Sequence, residues 1–150
     1  IRSTSGALVF DSGDQLEQLI AAIDPRNFNA DNVENGFDAR SDDKGPEPEA
    51  VTVGVAFDRT LAFIGLERYG GIAVYDVSNP AAPVLQDYVN NRNFSANLDK
   101  EKVQTSPAPR DLGPEGMVFI SAANSPIGRP LLVAANEISG STTIYEIRNK

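Results

Sequence analysis

One short pattern occurs twice in this chain. Pro48-Glu49-Ala50-Val51 returns as Pro114-Glu115-Gly116-Met117 at an offset of 66. LAFIGLE (61–67) and IAVYDV (72–77) return as LLVAANE (131–137) and TTIYEI (142–147) at an offset of 70. The difference between the offsets falls in the first hairpin of each unit, where AFDRT stands against the longer ISAANSPIGRP. Each unit is a set of short apolar runs too narrow to cover both of its own faces, so it gains stability only by stacking on a similar unit. The spacing therefore predicts β-propeller blades, with two similar hairpins of a β-sandwich as the alternative. A repeat near 70 residues exceeds the usual blade period of about 40–50, and two long polar loops supply the excess.

The strand-length runs are 51–57, 61–66, 72–77 and 84–89, then 117–121, 131–135 and 142–147. Asp58-Arg59, Tyr69-Gly70-Gly71 and Ser78-Asn79-Pro80 supply the reversals between the first four. Ahead of them, Ala7 to Phe10 reads as a strand that ends a preceding blade. A helix is expected next: Ser12 and Gln15 form a capping box, Leu16, Leu19, Ile20 and Ile23 fall on one face, and Asp24-Pro25 stops it. Segment by segment, residues 1–25 are the end of a blade plus this helix, 26–47 a long loop with Phe28, Val33 and Phe37 as its apolar anchors, 48–91 a blade, 92–112 a second long loop, and 113–150 a blade. The expected class is all-β: a propeller fragment of about two four-stranded antiparallel blades plus one short helix.

Composition then removes whole classes of chemistry. The 150 residues contain no His and no Cys, and 13 Lys+Arg against 21 Asp+Glu give a net charge of −8. No His/Cys zinc site, no Ser-His-Asp or Cys-His nucleophile and no disulfide can form. Any bound metal must be held by oxygen. The acidic balance also argues against nucleic acid and anionic membrane as partners. Apolar runs such as Leu131–Ala135 fall far short of the roughly 20 residues of a membrane helix, so no membrane insertion by this segment is expected. The chain opens at Ile1, not Met, and the absence of thiols leans towards a bacterial envelope or secreted protein.

The stretches FDARSDDKGPEPEAVTVG (37–54), LERYGGIAVYDVSNPAAP (66–83), YVNNRNF (88–94), DLGPEGMVFI (111–120) and LLVAANEISGSTTIYEI (131–147), with VFDSGDQLEQLIAAI (9–23) before them, resemble bacterial propeller proteins of the choice-of-anchor I type. That resemblance implies a secreted, periplasmic or cell-surface location and a binding or scaffold role. Some relatives of that type are alkaline-phosphatase-like, which implies a metal-dependent phosphoester hydrolase as the alternative. The Pro-Glu-Gly step is also similar to one in lactonase and phytase-like propellers, where a glutamate reaches a channel cation. The resemblance further implies that the chain is a fragment. Two blades cannot close a ring, so neighbouring blades of a parent chain or a second copy in a homo-oligomer are the expected partners.

The repeat singles out Glu49 and Glu115, which start the first strand of each unit. In a propeller that strand lines the channel, so matched glutamates there are candidate ligands for Ca²⁺ or another hard cation; the structural alternative is that each accepts backbone N–H bonds. Glu67 and Glu137 form a second matched pair, expected to be ion-paired with Arg68 or Arg129. Asp42 and Asp43 lie in an acidic loop followed by Gly45, Glu47 and Glu49, in the style of an oxygen-ligand loop though without EF-hand spacing, and are further metal candidates; a solvated loop is the alternative. Arg40, Arg92 and Arg110 sit in the long loops and could converge on an anionic ligand such as a phosphate ester. With no nucleophile motif, hydrolysis would depend on metal-bound water.

Overall fold

A computed structural model describes residues 1–32, 34–96 and 109–149. Strands β1 (Pro48–Ala56), β2 (Arg59–Leu66), β3 (Ile72–Asp76) and β4 (Val84–Val89) pair in sequence order as one antiparallel meander. β5 (Pro114–Ile120), β6 (Leu131–Asn136) and β7 (Ser141–Glu146) form a second. With one α-helix among the described residues, α1 (Gln15–Ile23), this is the all-β arrangement of a propeller fragment. The second sheet differs from expectation in having three strands, not four, among the described residues. Val33 and residues 97–108 of the second loop lie outside the described residues.

Local chemistry explains most boundaries. Ala56 pairs with Arg59, so the β1–β2 turn is Phe57-Asp58, one residue earlier than the sequence suggested. Both turn residues are left-handed, with φ of 54° and 58°, as a two-residue hairpin of this twist requires. Ala7–Phe10 makes only an isolated bridge, Arg2 with Leu8, and not a strand. Helix α1 starts after Asp14, which makes no side-chain cap, so the Ser12/Gln15 capping box does not form. Only Leu16 and Ile20 of its apolar stripe are buried, while Ile23 is exposed.

The core has two halves, one on each face of the first sheet. On one face, Leu16 and Ile20 of α1 pack with Leu66, Tyr69, Ala73 and Tyr75. On the other, Ala56, Leu61, Phe63 and Ile72 meet Leu132 and Ala134 of the second sheet, with Met117, Phe119 and Tyr145 alongside. Successive side chains on a strand point to opposite faces. β2 therefore serves both halves, and Leu61 and Phe63 face one way while Ile64 and Leu66 face the other. β1 alternates cleanly: Ala50, Gly54 and Ala56 are buried, and Val51, Val53 and Val55 are exposed.

The sheets approach closely because glycine lets them. The Phe63 and Phe119 rings stack with centroids 6.0 Å apart and planes 19° from parallel. A Cβ on Gly54 would lie 2.2 Å from Cγ of Phe119, and one on Gly65 would lie 2.8 Å from the Pro114 carbonyl oxygen. Gly116 is different, since its Cβ would meet nothing closer than 3.6 Å. Gly54→Ala is therefore expected to lower stability by about 1–3 kcal/mol, the usual cost of overpacking, whereas Gly116→Ala is expected to be neutral or slightly stabilising. Urea unfolding of the two variants measures the contrast, and equal effects would contradict this account of the interface.

Candidate acidic site at the strand starts

Both sheets begin with the same local geometry. The residue before each first strand is left-handed: Glu47 has φ 56° and Gly113 has φ 72°. The carbonyl of Glu47 accepts the Glu67 N–H at 2.8 Å, and the carbonyl of Gly113 accepts the Glu137 N–H at the same 2.8 Å. Pairing then slips between Pro48 and Ala50 and, identically, between Pro114 and Gly116. Glu49 and Glu115 are thus the extra residues of two equivalent β-bulges. A bulge re-aims its side chain, and here it sets Glu49 against Glu67 and Glu115 against Glu137.

Each pair brings two carboxyl groups together, which favours the protonated form of Glu67 in one and of Glu115 in the other. Burial, followed by the hydrogen bond with Glu49, raises the Glu67 carboxyl to about 7. Glu115 is also raised, first by its hydrogen bond to Glu137 and then by the charges of Glu137 and Glu49. Glu115 feels Glu49, so the two pairs lie on one side of the molecule.

The first sheet adds a third carboxylate. Glu47, Glu49 and Glu67 can each offer one oxygen within 4.8 Å of the others. Glu47 stands where the second sheet has Gly113, in a backbone conformation that disfavours side chains. Its carboxylate meets Arg68 Nε at 2.8 Å, Arg40 Nη2 at 3.5 Å and Lys44 Nζ. Burial opposes ionisation of Glu47, but the Lys44 hydrogen bond and the charges of Arg68, Lys44 and Arg40 outweigh it and hold the carboxyl below its ordinary range. Arg68 also pairs with Glu67, as the sequence suggested.

The remaining candidates are placed differently. Arg40 is pinned to Asp43 at 2.6 Å and to Glu47, and Asp42 is exposed in the same loop. Arg92 is buried, and its guanidinium donates to the carbonyls of Arg68 (2.8 Å), Tyr69 (3.0 Å) and Asp31 and to Oδ1 of Asn35, with the Phe94 ring 4.3 Å away. Burial lowers its pKa to about 10. Arg110 is exposed. Arg40 and Arg92 thus brace loops, each against its own partners. Arg129 pairs with Glu146 at 2.8 Å and not with Glu137, because it precedes β6 while Glu137 follows it. Asp111, which the sequence did not mark, accepts hydrogen bonds from Asn91 (2.7 Å), Ser141 (2.8 Å) and Thr143, and so ties the second loop to β7.

The family described as "Choice-of-anchor I domain" matches residues 1–80, just over half of the chain, and the chain belongs to that family. It is similar to Gigasin-3a of Magallana gigas, with 28% identity over 99% of this chain and 54% of that protein. It is also similar to the mesenchyme-specific cell surface glycoprotein of Strongylocentrotus purpuratus, with 29% identity over 61% of this chain and 13% of that protein. The chain therefore spans about half of the first relative and a small part of the second. Both are animal proteins, and neither carries a phosphatase name. No solved structure matches the chain. Among the described residues no helix is long and apolar enough to cross a membrane. Family membership gives a surface or secreted module built on this β framework.

Two outcomes follow from this geometry. The folded state holds the Glu67 proton more tightly than an unfolded chain would, with a pKa of about 7 against 4.5. Its stabilising contribution is therefore full below about pH 4.5 and is lost as pH rises through about 7. In calcium-free buffer Glu67→Gln should match the wild type near pH 4.5 and exceed it near pH 8, by on the order of 1–3 kcal/mol. Thermal melts across that range test this, and a pH-independent difference would contradict it. Arg92→Ala would strand several buried acceptors and should cost about 3 kcal/mol or more, with Arg92→Lys recovering only part of the loss in the same melts.

Proposed function

We propose that this choice-of-anchor I chain is a β scaffold segment of a surface or secreted protein, and that its paired glutamates hold a hard cation such as Ca²⁺. The observation that carries the reading is the duplication of one device: a bulged glutamate set against a second glutamate, with both pairs on one side of the molecule. A shared proton is one way to neutralise such a pair. A divalent cation is the other, and Ca²⁺ prefers several carboxylate oxygens in flexible geometry. Glu47, Glu49 and Glu67 come close enough to offer oxygens together, and Glu115 with Glu137 extends the acidic edge. Asp42 and Asp43 are exposed in the preceding loop, outside the group of glutamates whose oxygens approach one another, which favours the glutamates as ligands. The binding role is preferred to the phosphoester hydrolase because Arg40 and Arg92 are spent on structural partners. A cell-surface location, which the name of the sea-urchin relative states of that protein, is part of the proposal for this chain.

Cation and proton compete for the same oxygens. Calcium affinity should therefore rise with pH through about 7, where Glu67 loses its proton. Titration calorimetry and thermal melting with added CaCl₂ near pH 7.5 should show binding in the range of roughly 0.1–1 mM, typical of extracellular modules. Near 100-fold excess over Kd the stabilisation should reach about 2.7 kcal/mol. Glu49→Gln and Glu115→Gln should each weaken the response. No melting shift at saturating millimolar Ca²⁺, or a response indifferent to both variants, would overturn the proposal.

A further inference from the structure

One chemical signal in the sequence lies apart from the acidic edge. Asn93-Phe94-Ser95 is an Asn-X-Ser triplet, the acceptor signal for an N-linked glycan in a chain that enters a secretory lumen. It occurs once in the 150 residues. Asn79 is followed at once by Pro80, and Asn124-Ser125-Pro126 has proline where the hydroxyl is needed. Such a triplet carries weight only on a surface loop, where the asparagine amide and the hydroxyl two residues on both face outward.

The second loop has that form because alternate residues anchor it from beneath. Arg92 turns inward onto the carbonyls of Arg68 and Tyr69, the Phe94 ring lies 5.1 Å from that of Tyr69, and Ala96 is buried. Asn35 Nδ2 donates to the carbonyls of Phe94 (2.9 Å) and Ala96 (3.2 Å) and holds the same side down. The residues between them are left on the outer side, Asn93 half-buried and Ser95 exposed. The Asn93 backbone is fixed as well, its N–H donating to the Pro109 carbonyl at 3.0 Å and its carbonyl accepting the Ala96 N–H at 3.1 Å. Its side chain closes an Asx turn, in which Oδ1 accepts the Ser95 N–H at 3.1 Å. An amide has two edges, and this turn uses the oxygen. A sugar on Nδ2 would replace one amide hydrogen and leave Oδ1 as it is, so the turn is compatible with the modified residue.

We infer that Asn93 is a site of N-glycosylation. In the transfer, Asn93 Nδ2 forms a bond to C1 of the first sugar of a lipid-pyrophosphate-linked oligosaccharide. The C1–O bond to the pyrophosphate breaks, the lipid pyrophosphate leaves with that electron pair, and one amide proton passes to solvent. The glycan then projects from the second loop, away from the buried Arg92 and Phe94 that hold its base. The inference uses none of the glutamates and stands apart from the cation reading.

The test expresses the full chain, tagged and behind a secretory leader, in cultured animal cells. The protein is recovered from cells and medium, and its intact mass is compared before and after treatment with peptide N-glycosidase. The wild type should lose a single glycan, and peptide mapping should find aspartate at position 93, the residue that enzyme leaves. Asn93→Gln and Ser95→Ala should each arrive without a glycan, Ser95→Thr should keep it, and Asn124→Gln should change nothing. Ser95→Ala removes an exposed hydroxyl and leaves the Asx turn intact, because the donor there is the backbone N–H. It should melt like the deglycosylated wild type, and it reads the site even if Asn93→Gln, which loses the turn, folds poorly. A wild type with no mass loss, a glycan mapped to another asparagine, or a glycan that persists in Ser95→Ala overturns the inference.

Discussion

Phe119 lying over Gly54 and against Phe63 is the contact on which the arrangement rests. A three- or four-stranded antiparallel sheet cannot bury both of its faces alone, and here the absence of one side chain lets an aromatic ring from the next sheet fill the gap. That close approach brings β5 alongside β1. It thereby sets the starts of the two strands, and the glutamates at those starts, on a common side. Packing decides the electrostatics in this molecule, since the acidic edge is a consequence of which faces had to be buried.

The acidic edge in turn depends on backbone irregularity. In a regular ladder Glu49 would alternate with its neighbours and have no reason to meet Glu67. The bulge supplies the extra residue, and the left-handed residue two positions earlier supplies the carbonyl that fixes the end of the next strand. The second sheet uses glycine at that left-handed position, while the first tolerates a glutamate. What the first sheet gains is a carboxylate that gathers Arg40, Lys44 and Arg68 and closes the long loop over residues 40–47. Like charges are thus concentrated and compensated within a few residues of one another.

Much of this was legible in the sequence because the repeat carries both pattern and spacing. The seven strands, the matched glutamates at positions 49 and 115 and the Glu67–Arg68 pair could be read from it. The carboxyl–carboxyl contacts could not, because a bulge leaves the residue count of a strand looking ordinary. Arg92 was read as a loop residue free for a ligand, yet it lies buried among carbonyls. Loop composition says little about which side chain turns inward. Ala7–Phe10 has strand-like residues but only one bridge to pair with, since a strand is defined by its neighbour and not by its own sequence.

The unequal hairpins connect these observations to how such a chain can change over generations. Between Ile120 and Leu131 the second sheet carries a ten-residue excursion where the first turns in two, yet the ladders on either side keep the same register. The extra length lies at the end of the hairpin remote from Glu115 and Glu137, so it never reaches the acids. A guest sequence grafted between Ser121 and Pro130 would be carried as cargo on a frame indifferent to it, whereas a single residue gained in the middle of β2 or β6 would move every side chain beyond it to the wrong face.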